Sequence, residues 1–194
     1  MKAKILLFVF FFGLNQLMAQ SKNKPPFYKQ PNGYAYIPQK GNMPGFYVMK
    51  EPVTKTAFNE YLNNLYVKNN FIEVNTNKSA ITNDHYRDTK YLILSNPTPI
   101  ELYAAYLSYK MSDSITIVRV FPISESMWKQ MKAPAYTKNA STKNPYGLIF
   151  FSEVYEYKVN SKGTLFAPKD NNGYERATFR LALSYIPRQT SIKK

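Results

Sequence analysis

The stretch NPYGLIFFSEVYEY, residues 144–157, carries two carboxylates, Glu153 and Glu156, among aromatic and β-branched side chains. Upstream, ITNDHYRDTKY places Asp84 and Asp88 around His85, the only histidine of the chain. Paired carboxylates that face each other across a substrate divide acid and base work, and an imidazole beside a hydroxyl activates a nucleophile. Spacing along the chain does not set either geometry, and no G-x-S-x-G elbow accompanies His85. The chain has only seven glycines and no Gly-rich loop to cradle a phosphate. Cysteine is absent, which removes disulfides, thiolate metal sites, thiol nucleophiles and a lipidated N-terminal cysteine. His85, between Asp84 and Tyr86, is most simply a polar loop residue.

The elements that must position these groups lie in one domain of ordinary size, 194 residues with 44% hydrophobic and 20% charged side chains. The first residues, MKAKILLFVFFFGLNQLMAQ, have the order of a secretory signal: Lys2 and Lys4, an apolar run from Ile5 to Leu14, and a small-residue exit at Ala19. That run is about half of the roughly 20 residues that a spanning helix needs. Cleavage is expected near Ala19–Gln20, giving a signal peptide over 1–19 and no transmembrane span in the mature chain. Residues 20–32 read as a polar, Pro-rich leader, 33–187 as a single domain, and 188–194 as a basic tail. The formal charge of the whole chain is +14, and without Lys2 and Lys4 it is 24 basic against 12 acidic residues, or +12. A basic excess suits anionic envelope lipids, cell-wall polymers or acidic proteins. A generally solvated basic surface explains it as well. Nucleic acid is not expected, because the leader directs the chain outward and no nucleic-acid-binding motif occurs.

Three helices are expected. The first follows Thr54 as N-cap, with Phe58, Tyr61, Leu62 and Leu65 as its apolar stripe. The second, NPTPIELYAAYLSYK, reads as a capping box with Thr98 as cap, Pro99 at N1 and Glu101 at N3, burying Leu102, Ala105, Tyr106 and Tyr109. The third is short, capped by Ser124, with Trp128 and Met131 on one face. Strands are expected at 34–37, 45–49, 90–94, 115–120, 148–151, 154–159 and 177–185. In the last, Ala177, Phe179, Leu181, Leu183 and Tyr185 alternate with Thr178, Arg180, Ala182 and Ser184. Helices and strands without regular alternation argue an α+β fold.

Taken in order, these pieces resemble the formylglycine-generating enzyme (sulfatase-modifying factor) family. GYAYIPQKGNMPGFYVMKEPVTKTAFNEYL stands for the family's opening strand and helix start. VRVFPISESMWKQM stands for its "RLPTEAEWE" motif, with Arg119, Pro122, Ser124, Glu125 and Trp128 in matching places and one extra residue after the proline. NPYGLIFFSEVYEY is similar to "N.yGL.DM.GNVWEW", through Asn144, Gly147, Leu148, Val154 and Glu156, with Tyr155 and Tyr157 in place of tryptophans. ATFRLALSY resembles the closing "GFRlA" strand, through Phe179, Arg180, Leu181 and Ala182. The match runs over residues 33–187. It implies the family's variant of the C-type lectin fold, a twisted, mostly antiparallel sheet with two to three flanking helices and long irregular loops.

The resemblance also says which chemistry to look for. Oxygen-dependent members hold copper through a cysteine pair near the closing strand. Here Leu181 stands beside the FR pair and no cysteine exists, so that route is closed. The sulfoxide-synthase relatives use several histidines on iron, and this chain has one. No catalytic residue and no cofactor is therefore expected. A structural calcium on Glu153 and Glu156 is the alternative at the "GNVWEW" place. The preferred reading there is that Glu156 accepts hydrogen bonds from loop amides and fixes the turn. Arg119, Pro122, Glu125, Trp128, Gly147, Glu156, Phe179 and Arg180 are expected to form a structural network, with Glu125 and Glu156 as carboxylate partners of the two arginines. Relatives of this kind serve in gliding-motility and type IX secretion assemblies, usually as lipoproteins. The expected function is an exported, non-catalytic scaffold or binding protein of the envelope, periplasmic, outer-membrane-associated or extracellular, with envelope protein partners. A lectin-like binder of glycan or anionic cell-wall polymer, using the loops 132–146 and 166–177, is the alternative. An enzyme of other chemistry on the same scaffold is the third.

Overall fold

The structure, a computed structural model, describes residues 30–67, 78, 81, 89–133, 144–150, 155–169 and 176–187. In chain order its elements are β1 (Tyr34–Ile37), β2 (Phe46–Met49), α1 (Lys55–Val67), α2 (Thr98–Met111), β3 (Thr116–Pro122), α3 (Glu125–Gln130), β4 (Tyr155–Glu156), β5 (Lys158–Val159), β6 (Leu165–Phe166), β7 (Ala177–Thr178) and β8 (Leu181–Pro187). The chain is α+β. Four strands form an antiparallel sheet in the order β1-β2-β8-β3. Two small ladders accompany it, β4 with β7 in parallel and β5 with β6 antiparallel.

Both faces of the four-stranded sheet are covered. On one face α1 and α2 pack over Tyr47, Val118, Val120, Leu181 and Leu183. The stripe Phe58, Tyr61, Leu62 and Leu65 is buried as the helical period requires. Phe58, Tyr61 and Tyr103 lie within 5.2–5.4 Å of one another in tilted and edge geometry, and Phe179 meets Tyr103 edge-on at 6.2 Å. Burial pushes the phenols of Tyr34 and Tyr103 well above their ordinary range. On the other face α3 sets Met127, Trp128 and Met131 over Ala35, Ile37, Phe46, Val48 and Ala182. Each large side chain withdrawn from water in this way contributes about 1.5–3 kcal/mol.

The caps agree with the sequence reading at α1 and α3 and depart from it at α2. Thr54 Oγ1 accepts from the Ala57 amide at 3.2 Å, and Ser124 Oγ accepts from Met127 at 3.3 Å. At α2 the helix already includes Thr98; Pro97 occupies the cap position with no side-chain cap bond, and Asn96 Oδ1 accepts from the Thr98 amide instead. The capping box is not formed. The buried face of α2 is also rotated from the expected stripe: Ile100, Tyr103 and Ala104 are buried, Ala105 is exposed, and Tyr109 is 78% exposed. Mixed aromatic and alanine content lets two stripes fit the period, and the sheet decides between them.

The strands expected at 34–37, 45–49 and 115–120 are present, within a residue or two of those bounds. The 90–94 segment forms no named strand; Tyr91 bridges Thr54, and Leu94 bridges Ile81 and Ala177. Leu148–Phe150 is likewise outside any ladder. The expected strand 177–185 is two strands, β7 and β8, interrupted at Phe179 and Arg180. At the break the Phe179 carbonyl accepts from the Val53 amide at 2.8 Å, which ties the chain between the two ladders to α1's entry loop.

The outer edge of β3 is closed by α2. Ser108 Oγ accepts from the Val120 amide at 2.8 Å and Ser112 Oγ accepts from Val118 at 2.9 Å. Each hydroxyl donates back into the helix, to Ala104 and to Ser108. Four residues of helix rise about 6 Å, close to the span of two strand residues, so the two serines meet alternate strand amides. An edge that would otherwise template pairing is satisfied by side chains.

Candidate functional site

Arg180 is the centre of the motif region. It is 1% exposed, in the break between β7 and β8. Nε donates to Glu156 Oε2 at 2.7 Å and Nη2 to Glu156 Oε1 at 2.6 Å, a bidentate pair. Nη2 also donates to the Ile149 carbonyl at 2.7 Å. Nη1 donates to the carbonyls of Met49 and Lys50 at 3.2 and 3.1 Å. A guanidinium has five N–H bonds, and each has an acceptor here. The Lys50 carbonyl accepts a second bond, from the Ile149 amide at 2.7 Å. One cation therefore joins the end of β2, the 148–150 segment and β4, and stands in for the ladder that 148–150 lacks.

Phe150 packs against this node, its ring 4.5 Å from the Arg180 guanidinium carbon. Trp128 meets Phe150 edge-on at 5.6 Å, and Lys158 Nζ sits 4.9 Å from the centre of the Trp128 ring. Burial lowers the Lys158 ammonium's pKa, with Glu156 and then Glu125 acting in the opposite direction. The turn before Phe150 is made by Asn144, whose Oδ1 accepts from the Tyr146 amide and whose Nδ2 donates to the Met131 carbonyl, each at 2.9 Å. Gly147 ends the turn at φ +68°, a left-handed conformation that side chains rarely take. Tyr157, at one of the tryptophan places, is 2% exposed, with its hydroxyl 3.5 Å from the Leu94 carbonyl.

The structure thus brings together Glu156, Trp128 and Arg180, with Gly147 in the turn that leads to Phe150. Phe179 neighbours the node and packs into the aromatic cluster of α1 and α2. Arg119, Pro122 and Glu125 stand apart from it. Pro122 ends β3 opposite Leu181. Arg119 and Glu125 are exposed, so the second arginine is neither buried nor paired with Glu125. The physical reason is the alternation of β3: Val118 and Val120 face α1 and α2, which leaves Arg119 on the opposite face, exposed at the rim beside the start of α3. Glu156 fixes its surroundings through Arg180, where loop amides had been expected.

Arg119 borders a pocket of about 440 Å³ between the sheet and the start of α3. Its apolar wall comes from Met43, Phe46, Phe121 and Met127. Its polar groups are Arg119 and the hydroxyls of Ser124, Ser126 and Ser184. Arg119 and Ser184 are direct cross-strand partners, and Phe121 faces Ala182 two residues on. Among the described residues neither the Arg119 guanidinium nor the Ser184 hydroxyl has a hydrogen-bond or ion-pair partner. Sequence reasoning named Arg119 and missed Ser184, Phe121 and Met43. Ser184 was visible as the polar member of an alternating strand, but its register against Arg119 was not.

Glu153, Val154, His85, Asp84, Asp88, the expected signal peptide over 1–19, the 188–194 tail, residues 134–143 of the loop 132–146 and residues 170–175 of the loop 166–177 lie outside the described residues. Among the described residues no three His, Cys, Asp or Glu side chains converge as a metal ion's ligands do. Both oxygens of Glu156 are engaged by Arg180. No described helix is long and apolar enough to cross a membrane. Comparison with protein-family models, with curated proteins and with solved structures returns no match to this chain.

Proposed function

We propose that the chain is an exported, non-catalytic scaffold or binding module of a bacterial envelope. In this reading it is a degenerate relative of the formylglycine-generating enzymes, on their variant of the C-type lectin fold, and it works within an assembly of the gliding-motility or type IX secretion kind. The observation that carries the reading is the closed node at the motif positions. Glu156 and Arg180 spend their charges on each other, and the remaining guanidinium N–H bonds hold three backbone carbonyls. No donor is left over for a substrate, so this part of the scaffold holds loops in place. The order of the four motifs supports the family resemblance, and the lack of cysteine removes the thiolate pair that its copper chemistry needs. The basic excess and the apolar leader fit an exported protein that meets anionic surfaces or acidic partners.

Fractionation of cells that make the full chain natively tests this. The expected result is a mature chain starting near Gln20, in the envelope fraction, migrating in an assembly much larger than a monomer under gentle solubilisation. A cytoplasmic protein with its first residues intact, a lone monomer in the envelope extract, or stoichiometric copper or iron in the purified chain would overturn it.

A further inference from the structure

We propose that the pocket between the β3–β8 face and α3 binds an organic monocarboxylate with an apolar body, its carboxylate seated on Arg119. Three features of the pocket specify that ligand. The first is a cation without a partner among the described residues, on a strand position that holds its fork at the pocket wall. A guanidinium matches a carboxylate bidentately, through two parallel charge-assisted bonds. The second is hydroxyl donors beside it. Ser184 lies directly across the ladder, where partner Cβ atoms are about 4.5–5.5 Å apart. Ser124 and Ser126 share one hydrogen bond at 2.9 Å, which uses the hydrogen of one hydroxyl and leaves the other's free to turn toward a ligand.

The third feature is the apolar surface. Phe46, Phe121, Met127 and Met43 form the wall, and the same strand face runs outward to the cross-strand pair Ile117 and Ile186, 40% and 44% exposed. The apolar body therefore has two directions in which to lie. One cation suits one negative charge: a phosphate dianion would carry an uncompensated charge against an apolar wall, which is costly. The volume, about 440 Å³, fits a molecule of the size small-ligand sites hold, roughly 300–1,000 Å³. The outer edge of β3 is already closed by Ser108 and Ser112, so the ligand approaches across the face and does not add as a strand.

Calorimetric titration of the purified chain tests the assignment, with four probes: 4-phenylbutyrate, its methyl ester, acetyl-Leu-Phe with a free carboxyl, and the same dipeptide as its amide. At least one acid is expected to bind about tenfold or more tightly than its neutral counterpart, the scale of a lost charge-assisted pair. Arg119→Gln is expected to erase that difference without changing the thermal midpoint, and Ser184→Ala to narrow it. Lys162→Gln, an exposed charge in the β5–β6 turn, is expected to change nothing. Binding of phenylbutyrate alone marks a small-molecule site, and binding of the dipeptide alone marks a chain terminus; both support the proposal. No binding of either acid, equal binding of acids and neutral forms, or the same loss in Lys162→Gln as in Arg119→Gln overturns it. The outcome is independent of the envelope reading, since a chain that runs alone in the envelope extract can still carry this pocket.

Discussion

Arg180, just before β8, and Arg119, on the adjacent strand β3, have opposite surroundings. Arg180 sits where the chain breaks between β7 and β8, is 1% exposed, and has five acceptors for its five N–H bonds. Arg119 sits in the middle of β3, exposed, with a pocket beside it and no partner among the described residues. The same side chain is a structural strut in one place and an open anion contact in the other. Burial makes the difference. A guanidinium withdrawn from water must be matched bond for bond, and a guanidinium at the rim keeps its donors for whatever arrives.

The sharpest way to break this contrast is to remove the buried cation. Arg180→Met leaves Glu156 as an unpaired buried carboxylate and strips three carbonyls of a donor. A loss of about 3–5 kcal/mol is expected in urea unfolding at neutral pH. Adding Glu156→Leu to Arg180→Met is expected to recover part of that loss, because most of the penalty is the orphaned charge. Additive losses would show that the pair is not the node described.

A smaller effect is expected on the far edge of β3. Ser108→Ala orphans the Val120 amide, which costs about 1–3 kcal/mol. Light scattering of the variant at high concentration should rise, as an opened strand edge pairs with other chains. Unchanged solubility and stability would place the edge's protection elsewhere.

The second ion pair among the described residues lies between these extremes. Lys90 Nζ meets Glu51 Oε2 at 2.5 Å, with side chains 61% and 38% exposed, and the Tyr91 hydroxyl donates to the same oxygen at 3.0 Å. The hydrogen bond from Lys90 is the main cause that lowers the Glu51 carboxyl below its usual range, against a smaller opposing effect of burial. A depressed carboxyl pKa stabilises above the unfolded value and loses that contribution as pH falls through the folded one. Glu51→Gln is therefore expected to destabilise at neutral pH by under about 1 kcal/mol, with no difference from wild type in acid. Smallest of all, Arg119→Ala is expected to shift stability by no more than about 0.5 kcal/mol. A large loss there would mean that Arg119 is a strut after all.

Much of the scaffold was legible in the residues. The stripe of α1, the caps Thr54 and Ser124, and the β-forming content of β1 and β3 are local signals, and each element lies where its own side chains put it. The readings that needed tertiary information failed or shifted. The α2 stripe admitted two faces, and packing on the sheet chose Ile100, Tyr103 and Ala104. The 148–150 segment reads as a strand because it is rich in aromatic and β-branched side chains, yet its backbone is held by a guanidinium and the Lys50 loop. The Glu156–Arg180 partnership joins residues 24 apart in sequence; the sequence offers Glu125 and Glu156 for the two arginines without assigning them, and says nothing of Arg119 standing away from Glu125.

The amino-acid sequence by itself determined which chemistries lack their atoms, with no thiol and one imidazole, and which short segments coil or extend. Those are properties of composition and of periods shorter than a dozen residues. Only the tertiary structure decided which arginine is buried and which is open. That depends on strand register and on which face a helix covers, and both are set by contacts between residues far apart along the chain.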